Sequence, residues 1–584
     1  MVRYHLEIVD LQAHLLRVTL TLDSPAALQR LSLPVWIPGS YLVREFGRHL
    51  QSLQAWQDHH EVPLTQLDKT TWQAGCTDAR PLTVSCLVYA FDASVRTAWL
   101  DRQRGFLNGT STFLRCEGHE HRPQRLTLGP LPEGWQVATG LPAAAEGGWL
   151  APDYDALIDH PIELGPFWRG EFVAGGVPHE LVVAGALPSF DGERLLEDTR
   201  RLCEAQIRFW HGEGRPPFER YVFMLNAVDD GYGGLEHRNS TALIAGRRDL
   251  PRRGQPPGAG SDGYVTLLGL ISHEYFHTWN VKRLKPREFV PYDLTRENHT
   301  ELLWFFEGFT SYYDDQFLVR TGLIDEARYL KLLTRTINQV LGTPGRHVQS
   351  LARASWDAWV KYYRPDENTV NATVSYYTKG ALVALALDLS LREAGTGTLD
   401  DVMHLLWQRS APAGQPDHAG DRGIDEADIV AAVRSVAPGV AEMLPAWVHG
   451  TDDLPLERLL ATMGVAWSRE APTLAHRLGA RVQDSLKVQS VLRGGAAEQA
   501  GLAAGDELIA LNQWRLGKLD DLPLYGAFEQ AAELLVSRDR RLLNLTLPAV
   551  TALEGAVALG VGASTEARTR DRTAWLRPAV ADPA

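Results

Sequence analysis

One helical stretch near the middle of the chain narrows what it can fold into more than any other feature. It runs Leu267-Leu268-Gly269-Leu270-Ile271-Ser272-His273-Glu274-Tyr275-Phe276-His277-Thr278-Trp279-Asn280. His273 and His277 are four residues apart, so a helix sets both imidazoles on one face, one turn from each other. Two ring nitrogens so placed reach one Zn²⁺, and the adjacent Glu274 can act as base toward the water that such an ion activates. The surrounding residues are apolar on nearly every side.

A catalytic zinc takes three protein ligands and keeps a fourth position open. The third ligand has to come from outside H-E-x-x-H, and Glu288, Asp293, Glu297, His299, Glu301 and Glu307 follow it in the sequence. Most of these sit in polar, turn-like sequence and read as solvated. Glu307 lies among Trp304, Phe305, Phe306 and Phe309 on an expected helix over Thr300 to Thr321. A carboxylate in such a setting is costly to desolvate unless something compensates it, and a metal ion does so. The alternative is a glutamate on the wet side of its helix. Gly308 permits a close approach between that helix and a neighbour.

At 584 residues the chain exceeds one hydrophobic core, and about three to four domains are expected. The net charge of −14, with no basic block to offset it, excludes a general nucleic-acid binder. Cys76, Cys86, Cys116 and Cys203 show no C-x-x-C spacing and read as reduced thiols. The N-terminus alternates apolar and polar residues as a strand does, without the apolar core of a signal peptide. The apolar run Ala381 to Leu391 contains Asp388 and is too short to span a bilayer. A cytoplasmic protein with no membrane partner is the expectation.

Residues 1–165 read as a β-rich N-terminal domain, with turn-forming aromatic clusters at Trp36-Ile37-Pro38-Gly39-Ser40-Tyr41 and around Arg104-Gly105-Phe106. Residues 166–465 read as a mostly helical domain with a mixed edge sheet. A helix over Gly192 to His211 has Leu196, Cys203, Ile207 and Trp210 on its inner stripe. Arg252 to Gly263 and Pro412 to Gly423 read as exposed loops. Residues 466–555 return to β structure in a small module, and 556–584 form a charged tail whose last ~20 residues are expected to fray. The fold class is therefore multidomain α+β.

His273-Glu274-Tyr275-Phe276-His277-Thr278-Trp279-Asn280-Val281-Lys282-Arg283, followed by Trp304-Phe305-Phe306-Glu307-Gly308-Phe309-Thr310-Ser311-Tyr312-Tyr313, resembles the glycyl aminopeptidase family of gluzincins, peptidase family M61. The resemblance implies a β-rich N-terminal domain, a thermolysin-like (gluzincin) catalytic domain and a C-terminal PDZ domain. Gly494 to Leu502 and Gly505 to Asn512 carry the PDZ likeness, with Arg477-Leu478-Gly479-Ala480 as the peptide-carboxylate loop. Gly233-Gly234-Leu235-Glu236-His237 resembles the G-x-M-E-N element of the related alanyl aminopeptidases, which implies that Glu236 grips a substrate's α-amine beside Gly233 and Gly234. His237 stands where those enzymes carry Asn. Tyr376-Tyr377-Thr378-Lys379-Gly380 resembles their Y-x-K-G element, which implies that Tyr377 donates to the oxyanion and leaves Tyr376 to the core.

The expected protein is a zinc aminopeptidase with one Zn²⁺ held by His273, His277 and Glu307, and with Glu274 as general base. Its partners are peptides with a free N-terminus, Gly or Ala being favoured by the resemblance, and a peptide or domain at the PDZ module. An endopeptidase or oligopeptidase, and a non-catalytic PDZ-mediated peptide binder, are the alternatives.

Overall fold

A computed structural model describes residues 1–256, 260–410, 422–550, 553–563 and 565–577. The chain divides into two compact units. The first comprises Met1–Asn298, Arg320–Ile324 and His404–Asp425; the second comprises His299–Val319, Asp325–Met403 and Glu426–Ala584.

The first unit opens with β structure. A seven-stranded sheet is built on Val2–Asp10 and Leu15–Leu22, which pair antiparallel, and two four-stranded sheets accompany it. The alternation in the sequence is realised directly: Leu16, Val18, Leu20 and Leu22 turn inward from one strand. A five-stranded mixed sheet follows, in the spatial order Trp168–Ala174, Val177–Ala184, Tyr221–Val228, Ser240–Gly246, Gly233–Glu236. Its three central strands run parallel and are buried almost throughout, while Gly233–Glu236 is an antiparallel edge strand.

Helix Gly192–His211 packs on this sheet through Leu195, Leu202, Cys203, Ile207 and Trp210. Leu195 is fully buried and Leu196 only half-buried, a shift of one residue from the expected stripe. The helix Asp262–Phe276 starts where Ser261 accepts a hydrogen bond from the Tyr264 N–H at 3.0 Å. The loop expected to run from Arg252 to Gly263 therefore ends at Ser261, and residues 257–259 lie outside the described set. The stretch Pro412 to Gly423 lies largely outside it as well.

In the second unit, helix Thr378–Ala394 is buried on nearly every face. Asp388 is tolerated within it because Tyr312 Oη (2.7 Å), Arg392 and the Leu399 N–H all donate to its carboxylate. The PDZ-like module has its own apolar core around Leu478, Val488, Leu508, Phe528 and Leu534. It is joined to the helical region by Asn371, whose Nδ2 donates to the Val491 carbonyl (2.8 Å) and whose Oδ1 accepts from the Arg493 N–H (2.9 Å).

The described part of the tail's end, residues 565–577, departs from expectation, while residues 578–584 lie outside the described set. Glu566–Leu576 is a helix, capped at its N-terminus by the Thr565 hydroxyl. Trp575 is fully buried, and its indole N–H donates to Tyr312 Oη at 3.0 Å. The charged composition suggested fraying, but one apolar anchor and the Arg572–Glu326 ion pair seat the helix. Among the described residues no helix is long and apolar enough to cross a membrane. Cys76, Cys86, Cys116 and Cys203 are all unpaired.

Candidate metal centre and active site

The helix Asp262–Phe276 buries Leu267, Leu268, Leu270, Ile271, Tyr275 and Phe276, which fixes the direction of the remaining face. His273 and His277 occupy that face with their Nε2 atoms 3.0 Å apart. His277 Nδ1–H donates to the Asn280 carbonyl at 2.8 Å, leaving Nε2 as a lone-pair donor. Two nitrogens this close both reach one Zn²⁺ at about 2.0–2.1 Å.

Glu274 is 5% exposed and packs against the edge strand. A Cβ built on Gly234 would fall 2.1 Å from Glu274 Oε1, so any side chain there would have to displace the Glu274 carboxylate. A Cβ on Gly233 would meet nothing. Glu236, two residues on, is 4% exposed, and its Oε1 has no hydrogen-bond partner among the described residues. An acceptor left this way calls for a donor from outside the chain.

His237 does not share the surroundings of Glu236. Its Nδ1 lies 3.3 Å from Asp159 Oδ1, an oxygen to which Lys282 Nζ also donates at 2.7 Å; the Arg238 N–H donates to Oδ2 at 3.1 Å. Burial alone would raise the Asp159 pKa, but Lys282 and Arg238 hold it well below the usual carboxylate range. Burial lowers the pKa of His237, so the ring is neutral and acts as scaffold. Successive residues of an extended chain point to opposite sides, which separates the two side chains. Sequence reasoning missed Asp159 entirely. Its only available signal was Lys282 and Arg283 directly after an apolar helix, two cations that need buried partners.

Glu307 is 2% exposed, with Trp304, Phe305, Phe306 and Phe309 all fully buried around it. The expected helix from Thr300 begins instead at Leu303, since Leu302 and Thr300 are held in a preceding turn, and it is assigned as Leu303–Phe306 and Gly308–Arg320. Helical hydrogen bonding still passes through Glu307, whose N–H donates to the Leu303 carbonyl and whose carbonyl accepts from the Ser311 N–H. Tyr377 precedes helix Thr378–Ala394, with its hydroxyl 3.4 Å from that of Tyr363. Burial first, then the nearby Glu307 charge, push its phenol well above the usual tyrosine range. Tyr377 therefore keeps its proton and can donate it. Tyr376 is fully buried, the core partner of the pair.

His273 and His277 offer two imidazole nitrogens from one unit, and Glu307 offers a buried carboxylate from the other. Two imidazoles and one buried carboxylate form a donor set suited to zinc.

Residues 3–166 match the Peptidase M61 N-terminal domain, residues 266–383 the M61 glycyl aminopeptidase, and residues 467–523 the PDZ domain. No curated protein matches the chain. Among solved structures it is similar to an aminopeptidase N family protein from Idiomarina loihiensis, at 37% identity and a TM-score of 0.91, over 99% of this chain and 100% of that one. An M1 zinc metallopeptidase from Deinococcus radiodurans is also similar, at 16% identity and a TM-score of 0.46, over 78% of this chain and 94% of that one. The chain belongs to the M61 glycyl aminopeptidase family and is a metallopeptidase.

Proposed function

We propose that this protein removes a small N-terminal residue, Gly or Ala, from peptides, using one Zn²⁺ held by His273, His277 and Glu307. These residues would hold the ion, which when bound would polarise a carbonyl oxygen and lower the pKa of a water molecule toward ~7. Glu274 takes the proton of the attacking water and returns it to the leaving amine. Tyr377, kept protonated by burial, donates to the developing oxyanion. Glu236 binds the substrate's ammonium group and sets the distance from the N-terminus to the bond that breaks.

The observation that carries the exopeptidase reading is the buried Glu236 carboxylate with an oxygen that no described residue satisfies, two positions from the glycine packed on Glu274. The family's description as glycyl aminopeptidases supports the preference for small residues, and a PDZ domain at residues 467–523 supports peptide binding by that module. A panel of aminoacyl reporter substrates, assayed with chelator and after zinc is restored, tests the reading. Glycyl and alanyl substrates turn over fastest, chelation stops all of them, and zinc restores them. Turnover that survives full removal of the metal refutes it.

A further inference from the structure

The first unit holds Glu236 in place by a feature outside its own strand. Ile37, Pro38, Gly39 and Ser40 form a tight turn closed by the Ser40 N–H donating to the Ile37 carbonyl at 3.0 Å. Pro38 and Gly39 occupy its two central positions, and Gly39 has φ +92°, the arrangement of a type II turn. The turn is anchored on both sides. Trp36 Nε1–H donates to the Asp293 carbonyl at 2.8 Å, and Trp36 and Tyr41, both fully buried, lie against Phe289.

The tip of this anchored turn rests on the Glu236 carboxylate. A Cβ added to Gly39 would stand 2.5 Å from Glu236 Oε1 and 2.5 Å from Oε2, so the glycine faces both oxygens at once. Contact of that kind closes one side of the carboxylate and restricts its rotation without making a hydrogen bond to it. Oε1 is left buried, oriented and without a described partner. Two separate demands thus fall on position 39. The turn requires positive φ, and the carboxylate forbids a side chain.

We propose that Gly39 is a positioning residue for the substrate's ammonium group: it locks the Glu236 carboxylate so that its open oxygen is presented in one orientation. This rests on the reading that Glu236 binds the α-amine. It makes the β-rich N-terminal segment a contributor to exopeptidase specificity through a backbone contact.

The test uses the full-length, zinc-loaded protein and a glycyl reporter substrate. Gly39→Ala is expected to raise KM by about 10- to 100-fold with kcat changed far less, because a displaced carboxylate weakens amine binding and leaves the chemistry in place. Gly118→Ala is the control for backbone strain, since Gly118 has φ +82° and nothing within 4 Å of a built Cβ; its KM stays at the wild-type value. Glu236→Asp withdraws the carboxylate by one methylene, so the Gly39→Ala, Glu236→Asp double variant recovers part of the KM lost in Gly39→Ala alone. A Gly39→Ala KM no different from that of Gly118→Ala, or no recovery in the double variant, overturns the proposal. Should Gly39→Ala not fold, Pro38→Ala loosens the turn without adding an atom, and an unchanged KM in that variant overturns it equally. Glu236→Ala separates the two readings. If it leaves KM unchanged, amine binding by Glu236 is itself wrong; if it raises KM while Gly39→Ala does not, only the role of Gly39 falls.

Discussion

Gly308 and Gly380 meet backbone to backbone: a Cβ on Gly308 would lie 2.5 Å from the Gly380 Cα, and one on Gly380 would lie 2.6 Å from the Trp304 carbonyl. Gly308 directly follows Glu307, and Gly380 lies three residues beyond Tyr377. The helix that carries the metal-ligand candidate and the helix that begins after the tyrosine therefore cross at a point where neither has a side chain. That crossing sets the distance between Glu307 and Tyr377.

Gly380→Ala should force the two helices apart. Overpacking of this kind costs about 1–3 kcal/mol. The expected result is a lower unfolding midpoint in denaturant, together with loss of tightly held zinc as Glu307 shifts. Unchanged stability and full metal occupancy would show that the crossing has slack.

Gly234→Ala tests the other close approach. The added methyl would collide with the buried Glu274 side chain, 2.1 Å from Oε1, 2.3 Å from Cδ and 2.5 Å from Cγ. Displacing the general base should lower kcat by about 100-fold while zinc, held by other residues, stays at one per chain. A normal kcat in this variant would remove Glu274 from the role of base.

Tyr377→Phe keeps the ring and its contacts with Tyr376 and Tyr362 and deletes only the hydroxyl. Loss of one oxyanion donor should lower kcat by about 10²- to 10³-fold with little change in KM. A variant with normal kcat would leave Tyr377 as a packing residue.

Much of this was legible in the sequence because the relevant residues were local. Four-residue spacing put His273 and His277 together without any knowledge of the fold. Aromatic neighbours marked Glu307 as a buried carboxylate, and Gly308 marked a close helix crossing, although its partner Gly380 could not be named. What stayed hidden depends on contacts between distant segments. Asp159 lies 123 residues from Lys282, which it pairs with, and no periodicity announces such a pair. Nothing about Pro38-Gly39 beyond a turn propensity points to Glu236 nearly two hundred positions later. The segment Glu566–Leu576 was misjudged for the same reason: its composition is charged, and only the tertiary pocket around Trp575 makes it a seated helix.

Acid should destabilise the fold partly through His179. Its Nδ1–H donates to the Val177 carbonyl (2.9 Å) and its Nε2 accepts from Tyr275 Oη (2.8 Å), so the folded ring is neutral. Burial pushes its pKa down to about 4. Unfolded, the same ring titrates near 6.5, so between these values the unfolded state binds the extra proton. The stabilisation is present above pH ~6.5 and is lost as the pH falls toward about 4, a change on the order of 3 kcal/mol. Denaturant titrations across this range should show a shallower pH dependence in His179→Gln than in the native protein; identical slopes would exclude His179 as the cause.

The central claim is that a zinc site and the Glu236 carboxylate together count one residue from a free N-terminus. It is tested most directly by comparing kcat/KM for a glycyl peptide and the same peptide with its α-amine acetylated, in the zinc-loaded protein. Acetylation removes the charge that Glu236 is held to receive, and kcat/KM should fall by about 10⁴-fold or more. Equal cleavage of the two peptides would contradict the account and make this metallopeptidase an endopeptidase.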